Sequence, residues 1–409
     1  LKRFEGQVVM NSEAIEAVAS QFPILHAPVR GKRLAYLDNA ATTQKPLCVL
    51  EAMDHYYRFQ NANVHRAVHY LAEQATTAYE QSRDTIAQFF NADRKGVVFT
   101  SGSTDAINLV AQSFGLHAGD AVLLTGMEHH SNIVPWQLVG ATTLAAPVLD
   151  DGSLDISAWQ ALLARPEVKL VAITHVSNTL GTVNPIADLI QQAHQRGVPV
   201  LVDGAQAIAH QKVDFAKLSA DFYVMSAHKA YAPTGFGVLL AKPERLERLR
   251  PWRGGGDMIK TVAFEGSTWN DLPYRFEAGT PNMAGGIGFA RALTFIKNIG
   301  FEAIQAHEHA LLQQLTEVLE SIKGLKMLGT TVGKAGVCSF VIDGVHAQDL
   351  STFLDLSGVA VRTGHHCTMP LMQRFGVTAT TRASLAVYNQ AADIQQLAEA
   401  LDKSLKLLR

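Results

Sequence analysis

Between residues 97 and 242, short and nearly unbroken apolar runs alternate with helix-like stretches, and this rhythm constrains the fold more than anything else in the chain. VVFT (97–100) leads into TDAINLVAQSFG (104–115), and DAVLLTG (120–126) follows. KLVAIT (169–174) is succeeded by IADLIQQAHQRG (186–197), then by VPVLVDGA (198–205), DFYVMSA (221–227) and FGVLLAK (236–242). Runs this apolar belong to strands buried on both faces. Their alternation with helices predicts βαβ units and an α/β fold with a mostly parallel sheet covered on both sides. Gly197 stands where the preceding helix needs a closing residue. Such sheets take ligands beyond the carboxyl ends of their strands. The polar residues that stand out below lie mostly at those ends.

After about residue 290 the pattern changes. GIGFARALTFIKNIGFEAIQAHEHALLQQLTEVLESIKG (286–324) carries apolar residues at helical spacing, as one long helical stretch. GVCSFVID (336–343) and VAVRTG (359–364) read as strands, and ADIQQLAEALDKSLKLL (392–408) as a closing amphipathic helix. The expected organisation is a large domain over 31–290 and a smaller α+β domain over 291–409. An N-terminal segment, 1–30, with a helix over 12–20, is expected to pack with the small domain.

The chain has 35 basic and 37 acidic residues, a formal net charge of −2. That leaves no global electrostatic case for nucleic acid or an anionic membrane. No apolar run is long enough to cross a bilayer, and the first 25 residues lack the apolar core of a signal peptide. Met10 follows soon after Leu1, so residues 1–9 read as foreign to the natural start or as a remnant of something longer. The three cysteines, Cys48, Cys338 and Cys367, are sparse, odd in number and without CxxC spacing. This favours a reducing, cytoplasmic setting over a disulfide framework. Cys48 and Cys338 sit among apolar neighbours as small core residues.

YVMSAHKAYAPTGFG (223–237) carries the most chemistry. A lysine at a strand end, here Lys229, can be desolvated and made nucleophilic; taken alone it reads more readily as a surface lysine. VPVLVDGAQ ends its apolar run at Asp203, with Gln206 close behind, and a lone Asp there could equally cap a helix. An acid and a lysine at two strand ends are together what pyridoxal 5'-phosphate (PLP) requires. The lysine forms a Schiff base with the cofactor, and the acid keeps its ring nitrogen protonated. In TSGSTDAIN (100–108), Ser103 and Thr104 lie where a strand turns into a helix, a place for phosphate or for an ordinary cap. MEHHSNIVPW (127–136) holds adjacent histidines without an i, i+4 partner or a carboxylate cluster, so an imidazole stacked on a cofactor ring fits better than metal.

With these motifs in place, the chain resembles the cysteine desulfurases among fold-type I PLP enzymes (aminotransferase class V), specifically the group II, SufS-like branch. The resemblance runs from about residue 20 through YLDNAAT (36–42), NVHRAVH (63–69), GSTDAIN, MEHHSNIVPW, THVSNTLGTVNP (174–185), VDGAQ, SAHKAYAPTG, RFEAGTPN (275–282), RTGHHC (362–367) and RASLAVYN (382–389). It implies a seven-stranded, mostly parallel sheet in the large domain and a homodimer. Lys229 would bind PLP covalently, His129 would stack on its ring, Asp203 would pair with the ring nitrogen, and Gln206 would bond its phenolic oxygen. Ser103, Thr104, Ser226 and His228 would hold the phosphate, with Thr280 reaching the phosphate of the neighbouring subunit. Asn178 and Arg382 would bind the substrate carboxylate, and His65 and Arg362 would line the entrance.

Cys367 would then be the nucleophile that takes sulfur from L-cysteine, leaving L-alanine and a persulfide. A neighbouring arginine and histidines favour its thiolate. The RTGHHC loop matches the group II form, whose members pass sulfur to a small acceptor protein of the SufE or SufU kind in iron–sulfur cluster assembly. A metal site in HHC is not expected, since three consecutive side chains diverge and no other ligand set is evident. The chain departs from the family pattern at HKAYAPTG, where Ala230 and Ala232 replace the usual residues. Ala232 is costly if its position needs a positive φ. Three other readings compete. Selenocysteine lyase chemistry, or other C–S lyase chemistry, shares the fold, and many members act on both amino acids. An aminotransferase would share Lys229 and Asp203 without needing RTGHHC. A non-catalytic scaffold in a sulfur-transfer complex predicts damage at Lys229, Asp203 or Cys367, and none is present.

Overall fold

A computed structural model describes residues 2–4 and 7–409, with 2–4 and 7–9 as backbone alone. The reading of residues 1–9 as an appendage lies largely outside the described residues. The central sheet has seven strands: β1 (Val97–Thr100), β2 (Ala121–Thr125), β3 (Thr142–Ala146), β4 (Val168–Thr174), β5 (Val200–Asp203), β6 (Phe222–Ser226) and β7 (Gly237–Ala241). Their order is β1-β7-β6-β5-β4-β2-β3. β2, β5 and β6, as expected of strands covered on both faces, are buried along their whole length. β7 runs antiparallel to both neighbours. Only residues 227–236 separate it from β6, too few for the crossover that a parallel partner needs. β3 was not legible as an apolar run because TTLAA is an edge strand, exposed at two of its five positions.

Two apolar layers flank this sheet. One contains Ile107, Val110 and Trp136 against Leu170, Leu201 and Val224. The other packs Tyr79, Phe90 and Phe289 against Val171, Val202 and Met225. The expected single helix over 286–324 is two, Met283–Ile299 and Phe301–Glu320, because Gly300 between them adopts φ 88. That left-handed value is open to glycine at no steric cost.

The C-terminal part forms a four-stranded antiparallel sheet: β8 (Leu325–Leu328), β9 (Val337–Ile342), β10 (Arg362–Gly364) and β11 (Thr380–Ser384), in the order β8-β9-β11-β10. Leu315, Leu350, Leu397 and Leu401 from three helices cover it. Ala35 and Leu37 are buried in this same core, and Ala35–Tyr36 pairs in parallel with Val359–Ala360. The next residues cross back to the large sheet: Thr43 N–H donates to His228 O at 3.0 Å, and the Thr43 hydroxyl donates to the same carbonyl. YLDNAAT is thus a strap between the two units. Further upstream, the helix Ser12–Ala19 is capped by Asn11, whose Oδ1 accepts from Ala14 N. Phe22 follows it, buried against Tyr231, Phe295 and Tyr388.

β7 also fixes the turn after β1 by close backbone approach. A Cβ added at Gly237 would lie 2.4 Å from Gly102 Cα and 2.6 Å from Met225 O. Neither atom can rotate away. Gly237→Ala is expected to destabilise the fold by about 1–3 kcal/mol or more, read as a fall in Tm by circular dichroism. An unchanged Tm would show that the turn yields freely.

Candidate active site

The carboxyl ends of β1, β2, β4, β5 and β6 all open on one edge of the sheet. A cavity of about 190 Å³ lies there. Ser103 and Thr104 enter it from the helix Ser103–Ser113 after β1, His129 from the turn after β2, Asp203 from the end of β5, and Ser226, His228 and Lys229 from β6 and its following turn. The C-terminal part, with its four-stranded sheet, supplies Arg362, His366, Cys367 and Arg382, and Asn178 comes from the loop after β4. Twelve of the fourteen residues expected on the site are accounted for here or beside it; the other two lie apart.

The side chains are oriented by their neighbours. Ser226 Oγ accepts from Ser103 N–H at 2.8 Å, which ties the helix N-terminus to β6. Thr104 and Ser131 hydroxyls are 2.7 Å apart, and Ser131 N–H donates to His129 Nδ1. The accepting Nδ1 leaves the His129 proton on Nε2. Glu128, beside His129, is buried and bridges strand ends: Oε1 accepts from the Thr125 hydroxyl at 2.6 Å and from Thr174 N–H at 2.9 Å, and Oε2 from Asn132 at 2.7 Å. The His129 turn is therefore locked to both β2 and β4.

The electrostatics follow from burial. Desolvation lowers the Lys229 pKa against the opposing pull of Asp203, and raises that of Asp203 against the pull of Lys229. His129 is pushed down to about 3, first by burial and then by Lys229, so its ring is neutral at ordinary pH. Arg382 is buried, with Nη1 donating to Asn178 O at 2.9 Å and Nη2 to Asp38 at 3.2 Å. Its Nε has no partner among the described residues. Arg362 stands directly opposite it across β10 and β11. Like charges in that register repel, and an anion between them would relieve the repulsion.

Cys367 is half-buried at the cavity wall. His366 (φ 49) and Cys367 (φ 58) both adopt left-handed backbone, which is sterically unfavourable outside glycine. Other segments hold them there: Asn178 Nδ2 donates to His366 O at 2.8 Å, His130 N–H donates to Cys367 O at 2.8 Å, and Met369 N–H donates to His130 Nε2 at 3.0 Å. Asn178 therefore has its amide N–H on the cysteine loop.

Some expected placements differ. Gln206 is buried but donates to Ala40 O at 2.7 Å and does not line the cavity. His65 bonds Glu80 at 2.8 Å and lines a separate cavity with Gly279 and Pro281, next to the exposed Thr280. The non-glycine residue in left-handed backbone in the lysine loop is Tyr231 (φ 61), not Ala232. Thr43 Oγ accepts from Tyr231 N–H at 2.7 Å, and the Tyr231 hydroxyl accepts from Val387 N–H. Ala230 and Ala232 are simply buried, where small side chains fit. Ala40, Ser131 and His366 also line the cavity and were not singled out. The YLDNAAT and MEHHSN motifs contained the first two, but nothing in either motif indicates which residue turns inward.

Glu128 carries a pH signature. Burial lifts its carboxyl to about 7 in spite of three donors. A raised carboxyl pKa favours the folded state at acid pH, and that contribution fades as pH rises through about 7. Glu128→Gln should flatten this dependence in denaturation curves taken across that range. Glu128→Ala should cost about 1–3 kcal/mol for each buried donor left unpaired. A Gln variant that keeps the wild-type pH profile would show that Glu128 is not its source.

Residues 35–397 match the family described as aminotransferase class-V. Over 400 residues the chain is 50% identical to a probable cysteine desulfurase of Xylella fastidiosa (strain 9a5c), covering 96% of each. It is 47% identical over 406 residues to the cysteine desulfurase of Cronobacter sakazakii, covering 97% of this chain and 100% of that one. The crystal structure of the Escherichia coli cysteine desulfurase CsdA (S-sulfonic acid) superposes with a TM-score of 0.90 at 36% identity, over 98% of this chain and 100% of that chain. A C-DES mutant with glycine covalently linked to its PLP cofactor superposes with a TM-score of 0.81 at 25% identity, over 93% and 98%. With these similarities running nearly end to end over a shared fold, the chain belongs to the cysteine desulfurases of the aminotransferase class-V family.

Proposed function

We propose that this protein is a PLP-dependent cysteine desulfurase that converts L-cysteine to L-alanine and a persulfide on Cys367. The carrying observation is that Lys229, Asp203, His129, Arg382 and Cys367, drawn from five separate segments, face one small cavity. The donor set suits PLP: a lysine whose proton affinity burial lowers, a buried carboxylate with one oxygen not engaged by Ala205 N–H, and hydroxyls at a helix N-terminus. In this reading Lys229 would anchor the cofactor, Asp203 would pair with its ring nitrogen, and His129 would stack on the ring. Ser103, Thr104, Ser226 and His228 hold its phosphate. When bound, PLP supplies the electron sink that lets a proton leave the substrate Cα.

The chain's own residues do the rest. Arg382, with its free Nε, holds the substrate carboxylate, and Arg362 on the facing strand adds charge at the entrance. Asn178 supports the carboxylate site by fixing both Arg382 and the cysteine loop. Lys229 moves the proton, since burial brings its amine nearer to working pH. The Cys367 thiolate attacks the sulfur of L-cysteine; an S–S bond forms, the C–S bond breaks with its electron pair going to the carbon side, and Cβ and Cα each gain a proton to give L-alanine.

The short RTGHHC loop is pinned at two carbonyls, which supports the group II reading. A nucleophile that does not swing needs an acceptor that comes to it, such as a small protein of the SufE or SufU kind serving iron–sulfur cluster assembly. Exposed Thr280, outside its own subunit's cavity, supports a homodimer in which it reaches the neighbouring phosphate. Gln206 has a supporting place beside the site through Ala40, while His65 lines the separate cavity next to Thr280.

The test uses purified protein, L-cysteine and a reductant, with alanine and sulfide quantified together. Equimolar products are expected. Cys367→Ala should fall to background while keeping the visible absorbance of the bound cofactor, and Lys229→Ala should lose that absorbance. Pyruvate in place of alanine, or undiminished sulfide from Cys367→Ala, would overturn the assignment.

A further inference from the structure

The histidine pairs of MEHHSN and RTGHHC meet in space. His130, His365 and Cys367 each bring one ligating atom to within 4.8 Å of the others, the only such group of three among the described residues. The His130 and His365 rings lie 5.5 Å apart, centroid to centroid. Three consecutive side chains of one loop do diverge, as expected: His366 turns inward to Thr380, with Nε2 and Oγ1 2.8 Å apart. The left-handed backbone at His366 and Cys367 lets the outer two converge with a residue from the other domain.

We propose that His130, His365 and Cys367 form a binding site for a borderline-soft divalent cation of the zinc class. Two imidazoles and a thiolate are a donor set that zinc accepts, with the fourth tetrahedral position left to water. Ligand atoms around zinc stand roughly 3.3–3.6 Å apart, given its bond lengths. The group therefore closes by about 1 Å, which side-chain torsions supply. Each ring already presents an unprotonated nitrogen. His130 Nε2 accepts from Met369 N–H at 3.0 Å, and His365 Nδ1 accepts from Cys367 N–H at 3.1 Å. A cation takes those lone pairs and releases the two main-chain N–H groups. His365 is exposed, and His130 and Cys367 are half-buried, so a hydrated ion reaches the site without opening the fold.

Binding releases the thiol proton and holds the sulfur as a metal thiolate. A sulfur so held cannot attack, so the site acts as a reversible brake on Cys367. That consequence rests on the desulfurase reading; the binding does not.

The test avoids activity and thiols. Holoenzyme in thiol-free buffer receives one equivalent of zinc, and iodoacetamide alkylation of each cysteine is followed by mass spectrometry. A chromophoric chelator in competition gives the affinity. Zinc should protect Cys367 and leave Cys48 unchanged, with a chelator restoring the rate. His130→Ala and His365→Ala should each weaken binding by at least ~10-fold, since even changes outside the ligand shell cost that much. Retained visible absorbance reports that each variant is folded. Absence of protection in the wild-type protein, or protection that persists in both histidine variants, would overturn the proposal. A failed desulfurase assay beside intact protection would overturn only the functional reading.

Discussion

Arg362 and Arg382 stand opposite each other on adjacent antiparallel strands, with Lys229 on the wall of the same cavity. The protein answers this concentration of positive charge only in part. Asp38 touches Arg382 at 3.2 Å, and Asp203 offsets Lys229 through the cavity. Desolvation still prevails at the buried members: Arg382 is drawn down to about 10, Lys229 is lowered, and Asp38 and Asp203 are raised. Burying charge without full pairing is costly. The arrangement makes sense as a receptor for anions, whose binding supplies the counter-charge that the fold withholds.

The charges stay where they are because the surroundings are over-determined. The central sheet fixes one half of the site, and the strap through Tyr36–Thr43 fixes the other half against it. Asn39 shows how. Its Nδ2 donates to Ser384 O at 2.6 Å and to Asn389 Oδ1 at 3.0 Å, while the Tyr388 hydroxyl donates to its Oδ1. Ser384 closes β11, the strand that carries Arg382. Three residues further along the strap, Thr42 and Thr43 both donate to the carbonyl of His228, next to Lys229. The lysine and the arginine are thus referenced to one short peptide, and movement between the domains is felt at both.

Much of this was legible in the sequence, and the illegible part has a physical pattern. Strands with continuous burial announced themselves; the half-exposed β3 did not. Helical periodicity continued through Gly300, although the chain turns there. Lys229, Asp203, His129 and Cys367 sit in motifs whose strand-end position already aims them at the ligand edge, and all four face the cavity. Gln206 lies three residues beyond the end of its strand, and its amide meets the Ala40 carbonyl instead, a partner 166 residues away. The positive φ at Tyr231 had the same origin. The sequence leaves a positive φ at Ala232 as a condition, whereas the left-handed backbone falls on a tyrosine that Phe22, Phe295, Thr43 and the Val387 amide hold in place. Local chemistry is readable; register across domains is not.

The cysteine loop shows why strain and clamping belong together. Two successive non-glycine residues in left-handed backbone cost of order 1–3 kcal/mol each, so the loop alone would relax. It does not, because Asn178 and His130 hold consecutive carbonyls and Thr179 meets Thr368, their hydroxyl oxygens 3.0 Å apart. All three anchoring residues belong to the large domain's loops, on the far side of the cavity from the strand that delivers the cysteine. The sulfur is therefore positioned by the wall it faces rather than by its own strand. A side chain set in this way is accurate toward the cavity and poor at travelling. Its half-buried side is then the face at which a proposed sulfur acceptor and a proposed cation would meet the same atom.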